Sequence, residues 1–102
     1  MTGDPVISDL SPGAPQCSVT IVNRRGLHAR AAAKFVQTAT RFDAAVGVTR
    51  NGQTVSGHSI MGLMMLAASP GTDIEIATDG KEAAPALAAL KALVEAGFDE
   101  ED

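Results

Sequence analysis

The spacing of apolar residues switches repeatedly along this chain, and that switching limits the folds open to it. Residues 16–22 are apolar at every second position, which is typical of a half-buried strand. Residues 29–42 instead follow a period near 3.6 and predict an amphipathic helix after a turn at residues 23–26. The predicted inward residues of that helix are Ala32, Phe35, Val36 and Ala39. Strands and helices must therefore pack on each other.

The rest of the chain continues the same switching. Residues 44–49 and 53–56 are predicted strands of a hairpin, because the Asn51-Gly52 dipeptide between them tolerates positive φ at both positions. Three further segments are a short helix, a strand and a final helix that Gly97 ends, predicted over residues 59–67, 72–78 and 82–96.

This order, β-α-β-β-α-β-α, predicts an α+β fold: an open-faced β-sandwich with a four-stranded antiparallel sheet and three helices on one face. We expect residues 16–98 to form the single domain. Residues 1–15 hold three of the five prolines and show no period, so we expect a disordered leader. Residues 99–102 are all acidic and predict a solvated tail, because carboxylates beyond a helix C-terminus oppose its dipole.

Charge and composition exclude several classes of protein. The formal net charge of −4 at pH 7 disfavours binding to nucleic acid or to an anionic membrane. No apolar run is long enough to span a membrane, and residues 1–15 lack the pattern of a signal peptide, so we expect a cytoplasmic protein. A lone Cys17 permits no internal disulfide.

The string Gly26-Leu27-His28-Ala29-Arg30 falls where a strand gives way to a helix. The unpaired N–H groups and the dipole of a helix N-terminus favour an anion such as a phosphoryl group. Arg30 adds a planar cationic fork, and a neutral imidazole is a competent nucleophile. Positive charge also gathers around His28, at Arg24, Arg25, Arg30, Lys34 and Arg41.

By itself this string also fits a histidine that merely caps a helix or lies on the surface. A metal site at His28 would need further ligands, and the sequence provides only His58 and scattered carboxylates. His58 is itself a predicted turn residue. We therefore expect neither a metal nor another cofactor. A small hydrolase or isomerase lacks a paired acid and base.

The second notable string, residues 58–66, is apolar on nearly every side of a short helix. One side can enter the core, and the other then leaves Met and Ile in water as a docking patch, unless the helix is buried altogether. Ser59 is first an N-cap, and it is also a candidate regulatory phosphosite, because a phosphate is tolerated at a helix N-terminus.

These two strings, in this order and spacing, resemble the HPr family of histidine phosphocarriers of the bacterial phosphoenolpyruvate-dependent phosphotransferase system. The resemblance covers residues 17–98, and the ending at residues 97–102 looks like the nitrogen-related branch of that family. It implies a sheet in which the first strand lies beside the fourth, followed by the second and then the third.

The resemblance also implies the chemistry. His28 accepts a phosphoryl group on Nδ1 from phospho-enzyme I and passes it to an enzyme IIA-type protein. Arg30 steadies the group, and the N–H groups of Ala29 and Arg30 cap it. In some lineages the residue matching Ser59 is phosphorylated by a dedicated serine kinase, which weakens docking to enzyme I. Such a chain is a carrier more than a stand-alone enzyme.

We expect docking to use a basic rim and an apolar patch on a monomer, with Arg25, Ile60, Met61 and Met64 as its residues. The alternative is a regulatory binding module that uses the Met-rich patch and transfers nothing, although the intact string around His28 argues against it. One departure from the family is Ala31, where a proline is usual. We expect transfer to survive, because His28 and Arg30 do not depend on the ring.

Overall fold

The computed structural model describes residue 10 and residues 13–100. Most of the predicted leader, with Glu101 and Asp102, lies outside the described residues. Seven helices and strands follow in the predicted order: β1 Gln16–Thr20, α1 Ala29–Thr40, β2 Ala45–Arg50, β3 Gln53–Ser56, α2 Ile60–Met65, β4 Asp73–Asp79 and α3 Ala83–Glu95. A 3₁₀ turn over Gly97–Asp99 comes after α3.

The four strands form one antiparallel sheet in the order β1-β4-β2-β3. Val48 of β2 lies opposite Ile76 of β4, so two β-branched residues pair across the central strands of the sheet. The β2–β3 hairpin turns at Asn51 and Gly52, whose φ angles are 51° and 78°. Both are positive, as the dipeptide predicts, and the expected sheet order is confirmed.

All three helices cover one face of the sheet. The inward side chains of the strands are fully or almost fully buried against them: Val19, Val46, Val48, Ile74 and Ile76. On the other face Ser18, Thr20 and Glu75 are exposed. The predicted open-faced sandwich is therefore confirmed, and both long helices bury only one stripe.

Some element ends differ from the sequence prediction by one or two residues. β1 ends at Thr20, although Ile21 still exchanges backbone hydrogen bonds with Thr72 and Gly71 at 2.9 and 2.8 Å. α3 runs over Ala83–Glu95, one residue shorter at each end than predicted; within it Ala83 and Ala86 are buried, whereas Leu87 is only half-buried. Among the described helices, none has the length and apolar character needed to cross a membrane.

Candidate functional site

His28 is the N-cap of α1, with extended backbone angles of −82° and −178°. Its Nδ1 atom accepts a hydrogen bond from the backbone N–H of Arg30 at 3.3 Å. The first rung of the helix joins Ala32 N to His28 O at 2.8 Å, so the N–H groups of Ala29, Arg30 and Ala31 precede the ladder. The imidazole therefore presents Nδ1 where the positive end of the α1 dipole is strongest.

The turn before α1 places His28 by a close backbone approach. Gly26 has a φ of +67°, and a Cβ atom added to it would lie 2.4 Å from Ala68 O. The same carbonyl accepts the N–H of Leu27 at 2.9 Å, and the Leu27 side chain is buried. The positive φ and the close approach to Ala68 both favour glycine at position 26. The hydrogen bond from Leu27 to Ala68 anchors the turn before His28 to the segment that follows α2.

Arg30 and Arg25 are both exposed beside this turn. Arg30 lies in the first turn of α1, and its backbone N–H is the one that donates to Nδ1 of His28. Arg25 lies in the turn before Gly26. Ala31, the position at which the family proline is absent, is fully buried beneath the first turn of α1.

Ser59 is the N-cap of α2, as predicted. Its hydroxyl oxygen accepts the N–H of Gly62 at 2.9 Å, and its carbonyl accepts the N–H of Leu63 at 3.0 Å. A Cβ atom added to Gly62 would lie 3.2 Å from both the Ser59 hydroxyl and Val55 Cβ, so the cap is packed tightly against β3. Ser59 itself is half-buried.

The short helix α2 divides its residues between core and solvent. Leu63 and Leu66 are buried, whereas the large apolar side chains of the opposite side are exposed: Ile60 by 41%, Met61 by 73%, Met64 by 41% and Met65 by 67%. The possibility of a wholly buried helix is therefore wrong. These four residues form an exposed apolar patch, called the α2 patch below, next to the segment that anchors Leu27.

Glu100 is a residue of this site that the sequence patterns missed. Its Oε2 atom is hydrogen-bonded to Nε2 of His28, and its Oε1 atom accepts a hydrogen bond from Nδ2 of Asn23 at 3.0 Å. Only 11% of the Glu100 side chain is exposed. The prediction of a solvated acidic tail is wrong for Glu100, because two donors near α1 draw its carboxylate inward.

The 3₁₀ turn supplies the path that brings Glu100 back to His28. Gly97, Phe98 and Asp99 have φ angles of 64°, 58° and 59°, so three successive residues lie in the left-handed region. For non-glycine residues this conformation costs about 1–2 kcal/mol each. It persists because Phe98 is fully buried and because Lys34 Nζ donates to Phe98 O at 2.7 Å.

Asn23 ties the turn and the returning segment together. Its side chain is almost fully buried, and Nδ2 donates both to Gly26 O at 2.8 Å and to Glu100. Burial raises the pKa of Glu100, but hydrogen bonds from Asn23 and His28, with the charges of His28 and Lys34, outweigh that effect. The pKa of this carboxyl therefore lies below its ordinary value, and Glu100 is ionised at neutral pH.

The other candidates lie apart from this chemistry. His58 lies in the turn before α2, as predicted, where its N–H donates to Ser56 Oγ at 3.1 Å. Cys17 is a half-buried strand residue whose thiol pKa is raised by burial. Within the described residues no cluster of histidine, cysteine or carboxylate groups could hold a metal ion.

Comparison with known proteins identifies the family. Residues 15–96 match the family described as "PTS HPr component phosphorylation site". "Phosphocarrier protein HPr" of Neisseria meningitidis serogroup A is 54% identical over 83 residues, which cover 81% of this chain and 93% of that protein. The protein of the same name from Pseudomonas aeruginosa is 49% identical over 87 residues, covering 84% of this chain and 97% of that protein.

A solved structure gives the same result. The crystal structure of HPr-C-His from Thermoanaerobacter tengcongensis superposes with a TM-score of 0.82 and 39% sequence identity, and it covers 86% of this chain and 99% of that one. Sequence and fold thus agree over nearly the whole described domain, and the chain belongs to the HPr family of the phosphotransferase system.

Proposed function

We propose that this protein is a phosphocarrier whose His28 receives a phosphoryl group on Nδ1 and passes it on. The observation that carries the proposal is the position of Nδ1, which faces the first N–H groups of α1 and accepts that of Arg30. Family membership supports the same activity. The chain holds and presents the group, and it needs neither a metal nor another cofactor of its own.

The surroundings of Nδ1 suit a phosphoryl group. Such a group carries about −1.5 to −2 charge on a side chain at neutral pH. The N–H groups of Ala29 and Arg30 then cap its oxygens at the positive end of the helix dipole, and the Arg30 guanidinium binds them as a charged fork. When the group leaves, the electron pair of the P–N bond returns to Nδ1.

The partners that fit this role are phospho-enzyme I as donor and an enzyme IIA-type protein as acceptor. Arg25 and the α2 residues Ile60, Met61 and Met64 supply a mixed basic and apolar docking surface next to His28. A small interface of this kind suits a transient complex. We expect a monomer, which light scattering of the purified chain tests, and a location in the cytoplasm, which cell fractionation tests.

Ser59 is proposed as a regulatory phosphosite for an HPr serine kinase. Its hydroxyl lies at the start of α2 beside Ile60 and Met61, so a phosphate there places negative charge against the docking surface. Incubation with the kinase and ATP tests the site, since Ser59→Ala must lose the label. The residues Gly97-Phe98-Asp99-Glu100 support assignment to the nitrogen-related branch, which acceptor specificity tests.

The decisive assay for the carrier function combines the protein with enzyme I, Mg²⁺ and labelled phosphoenolpyruvate. We expect one acid-labile, base-stable phosphoryl group per chain, lost in His28→Ala and retained in His58→Ala. The second variant is the matched control, because it removes the other histidine of the chain. Absence of label, or label that survives His28→Ala, would contradict the proposal and favour a binding module without transfer.

A further inference from the structure

We propose that Glu100 is a positioning residue that holds the ring proton of His28 on Nε2 and thereby keeps the Nδ1 lone pair available for phosphoryl transfer. The inference rests on the proposed carrier function and extends it. It assigns a role to the segment after α3, which lies 72 residues from His28 along the chain.

The two ring nitrogens of His28 face groups of opposite kind. Nε2 faces Oε2 of Glu100, and an ionised carboxylate can only accept hydrogen bonds. Nδ1 faces the N–H of Arg30, which can only donate. A neutral imidazole carries one hydrogen, so both contacts select the same tautomer, with the hydrogen on Nε2 and a lone pair on Nδ1.

The carboxylate is needed with both of its oxygens. Oε1 accepts from Asn23 Nδ2 and Oε2 accepts from His28, so each oxygen has a separate donor. Asn23 cannot turn its amide over, because Nδ2 also donates to Gly26 O, and its buried Oδ1 has no hydrogen-bond partner among the described residues. A glutamine in the same position would place its NH2 group, which donates, against one of these two donors.

The backbone just before Glu100 adopts an unfavourable conformation that holds Glu100 in place. Phe98 and Asp99 are left-handed, and the burial of Phe98 and the hydrogen bond from Lys34 to its carbonyl maintain that conformation. Strain of this kind concentrates where a segment has a functional position to keep. The Glu100 contact is thus a product of the fold and not of a freely moving tail.

The proposed step needs no proton movement at His28. The Nδ1 lone pair forms the new N–P bond while the bond between phosphorus and the donor atom of phospho-enzyme I breaks, and the electron pair of that bond stays with the donor. His28 becomes a phosphoimidazolium that retains its hydrogen on Nε2, where the Glu100 carboxylate stabilises the positive charge. Onward transfer reverses these changes and returns the electron pair to Nδ1.

The test compares Glu100→Gln with Asp99→Asn. Both remove one carboxylate from neighbouring positions, but Asp99 is exposed and asparagine suits its left-handed backbone, so only the first variant alters the ring contact. Nitrogen-15 spectra of the unphosphorylated chain, at a pH where the ring is neutral, report the tautomer. We expect the hydrogen on Nε2 in the wild type and in Asp99→Asn, and a shift of hydrogen towards Nδ1 in Glu100→Gln.

The rate of phosphoryl acceptance from phospho-enzyme I is the second measurement. We expect Glu100→Gln to slow it by about 10–100-fold, the range seen when the partner that orients a metal-bound histidine is removed. Asp99→Asn should match the wild type. An unchanged tautomer, or an unchanged rate despite a changed tautomer, overturns the inference. Failure of the wild type to accept phosphate instead overturns the carrier function, and the spectra need no phosphate.

Discussion

The helices α1 and α2 both begin at a residue whose side chain caps the first turn, but the two caps differ in the contacts that hold them. Ser59 caps α2 with a short contact to a residue three positions ahead, the N–H of Gly62 at 2.9 Å. His28 makes a longer contact to Arg30 at 3.3 Å and is also held from the far end of the chain by Glu100. A cap that only starts a helix is satisfied locally, whereas a ring that must present one nitrogen is fixed from two sides.

A backbone junction also joins the start of α1 to the C-terminal end of α2. Ala68, just beyond α2, accepts the N–H of Leu27 just before His28, and Gly26 permits that approach. A change at the α2 end can therefore reach the histidine through the backbone as well as through the docking surface.

The largest expected effect tests this junction. Gly26→Ala places a Cβ atom 2.4 Å from Ala68 O at a φ of +67°, whereas Gly71→Ala meets only the left-handed penalty at +87° with nothing within 4 Å. We expect the second variant to lose about 1–2 kcal/mol of unfolding free energy. Gly26→Ala should lose about 1–3 kcal/mol more than that, because the added methyl group overpacks the contact with Ala68. Equal losses, measured in urea, contradict the proposed role of the junction.

The next effect separates the two ends of α1. Arg30→Ala removes a charged hydrogen bond to the phosphoryl group, worth about 1.5–3 kcal/mol, so transfer should slow by roughly 10- to 150-fold. Arg41→Ala is the matched control, because Arg41 is exposed at the C-terminal end of the same helix. Rapid-quench kinetics with phospho-enzyme I measure the transfer rate of both variants. Equal rates for the two variants would show that Arg30 is not part of the site.

A smaller effect is expected from the cap of α2. Ser59→Ala should lower the unfolding free energy by about 1 kcal/mol and leave labelling of His28 intact. Ser59→Asp keeps an acceptor for the N–H of Gly62, so its unfolding free energy should stay near that of the wild type. It also adds negative charge beside the α2 patch, so the KM of enzyme I for this protein as substrate should rise. Ser18→Asp, exposed on the open face of the sheet, controls for charge alone and should not raise that KM.

The Glu100 contact should also make stability depend on pH. Its pKa is lowered in the folded chain, so its contribution is present above the ordinary carboxylate range and is lost as pH falls through the folded pKa. We expect Glu100→Gln to be about 1 kcal/mol less stable than the wild type at pH 7, and the difference to disappear in acid. A difference that stays constant with pH contradicts the ionised contact.

The smallest effect is expected at Ala31. Its N–H precedes the first hydrogen bond of α1, so a proline there breaks no helix hydrogen bond. Because proline restricts the unfolded chain, it should raise the unfolding free energy by about 0.4–1 kcal/mol. Burial of Ala31 opposes that gain, because the ring needs space in the core. We expect Ala31→Pro to change the unfolding free energy by under about 1 kcal/mol and the transfer rate only slightly. A many-fold change in rate shows that the substitution matters.

What the sequence predicted correctly is local. The stripe of α1, the positive φ angles at Asn51 and Gly52 and the Ser59 cap each depend on residues a few positions apart, where period and turn chemistry act directly. Exposure of the α2 patch needed the structure, because an all-round apolar helix fits either of two environments.

Glu100 was missed for a related reason. An acidic run after a helix ordinarily lies in water, and its contact with His28 spans 72 residues. The signals present were Phe98, an aromatic residue beyond the glycine that ends α3, and Asn23, a polar residue in the turn before His28. Neither indicates a partner until the fold brings both beside α1.

The most direct test of the central claim is a nitrogen-15 and phosphorus-31 spectrum of the phosphorylated protein with labelled histidine. We predict a phosphorus–nitrogen coupling to Nδ1 of His28 and a hydrogen retained on its Nε2, beside the Glu100 carboxylate. A coupling to Nε2, or phosphorus on any residue other than His28 after reaction with enzyme I and phosphoenolpyruvate, would contradict it.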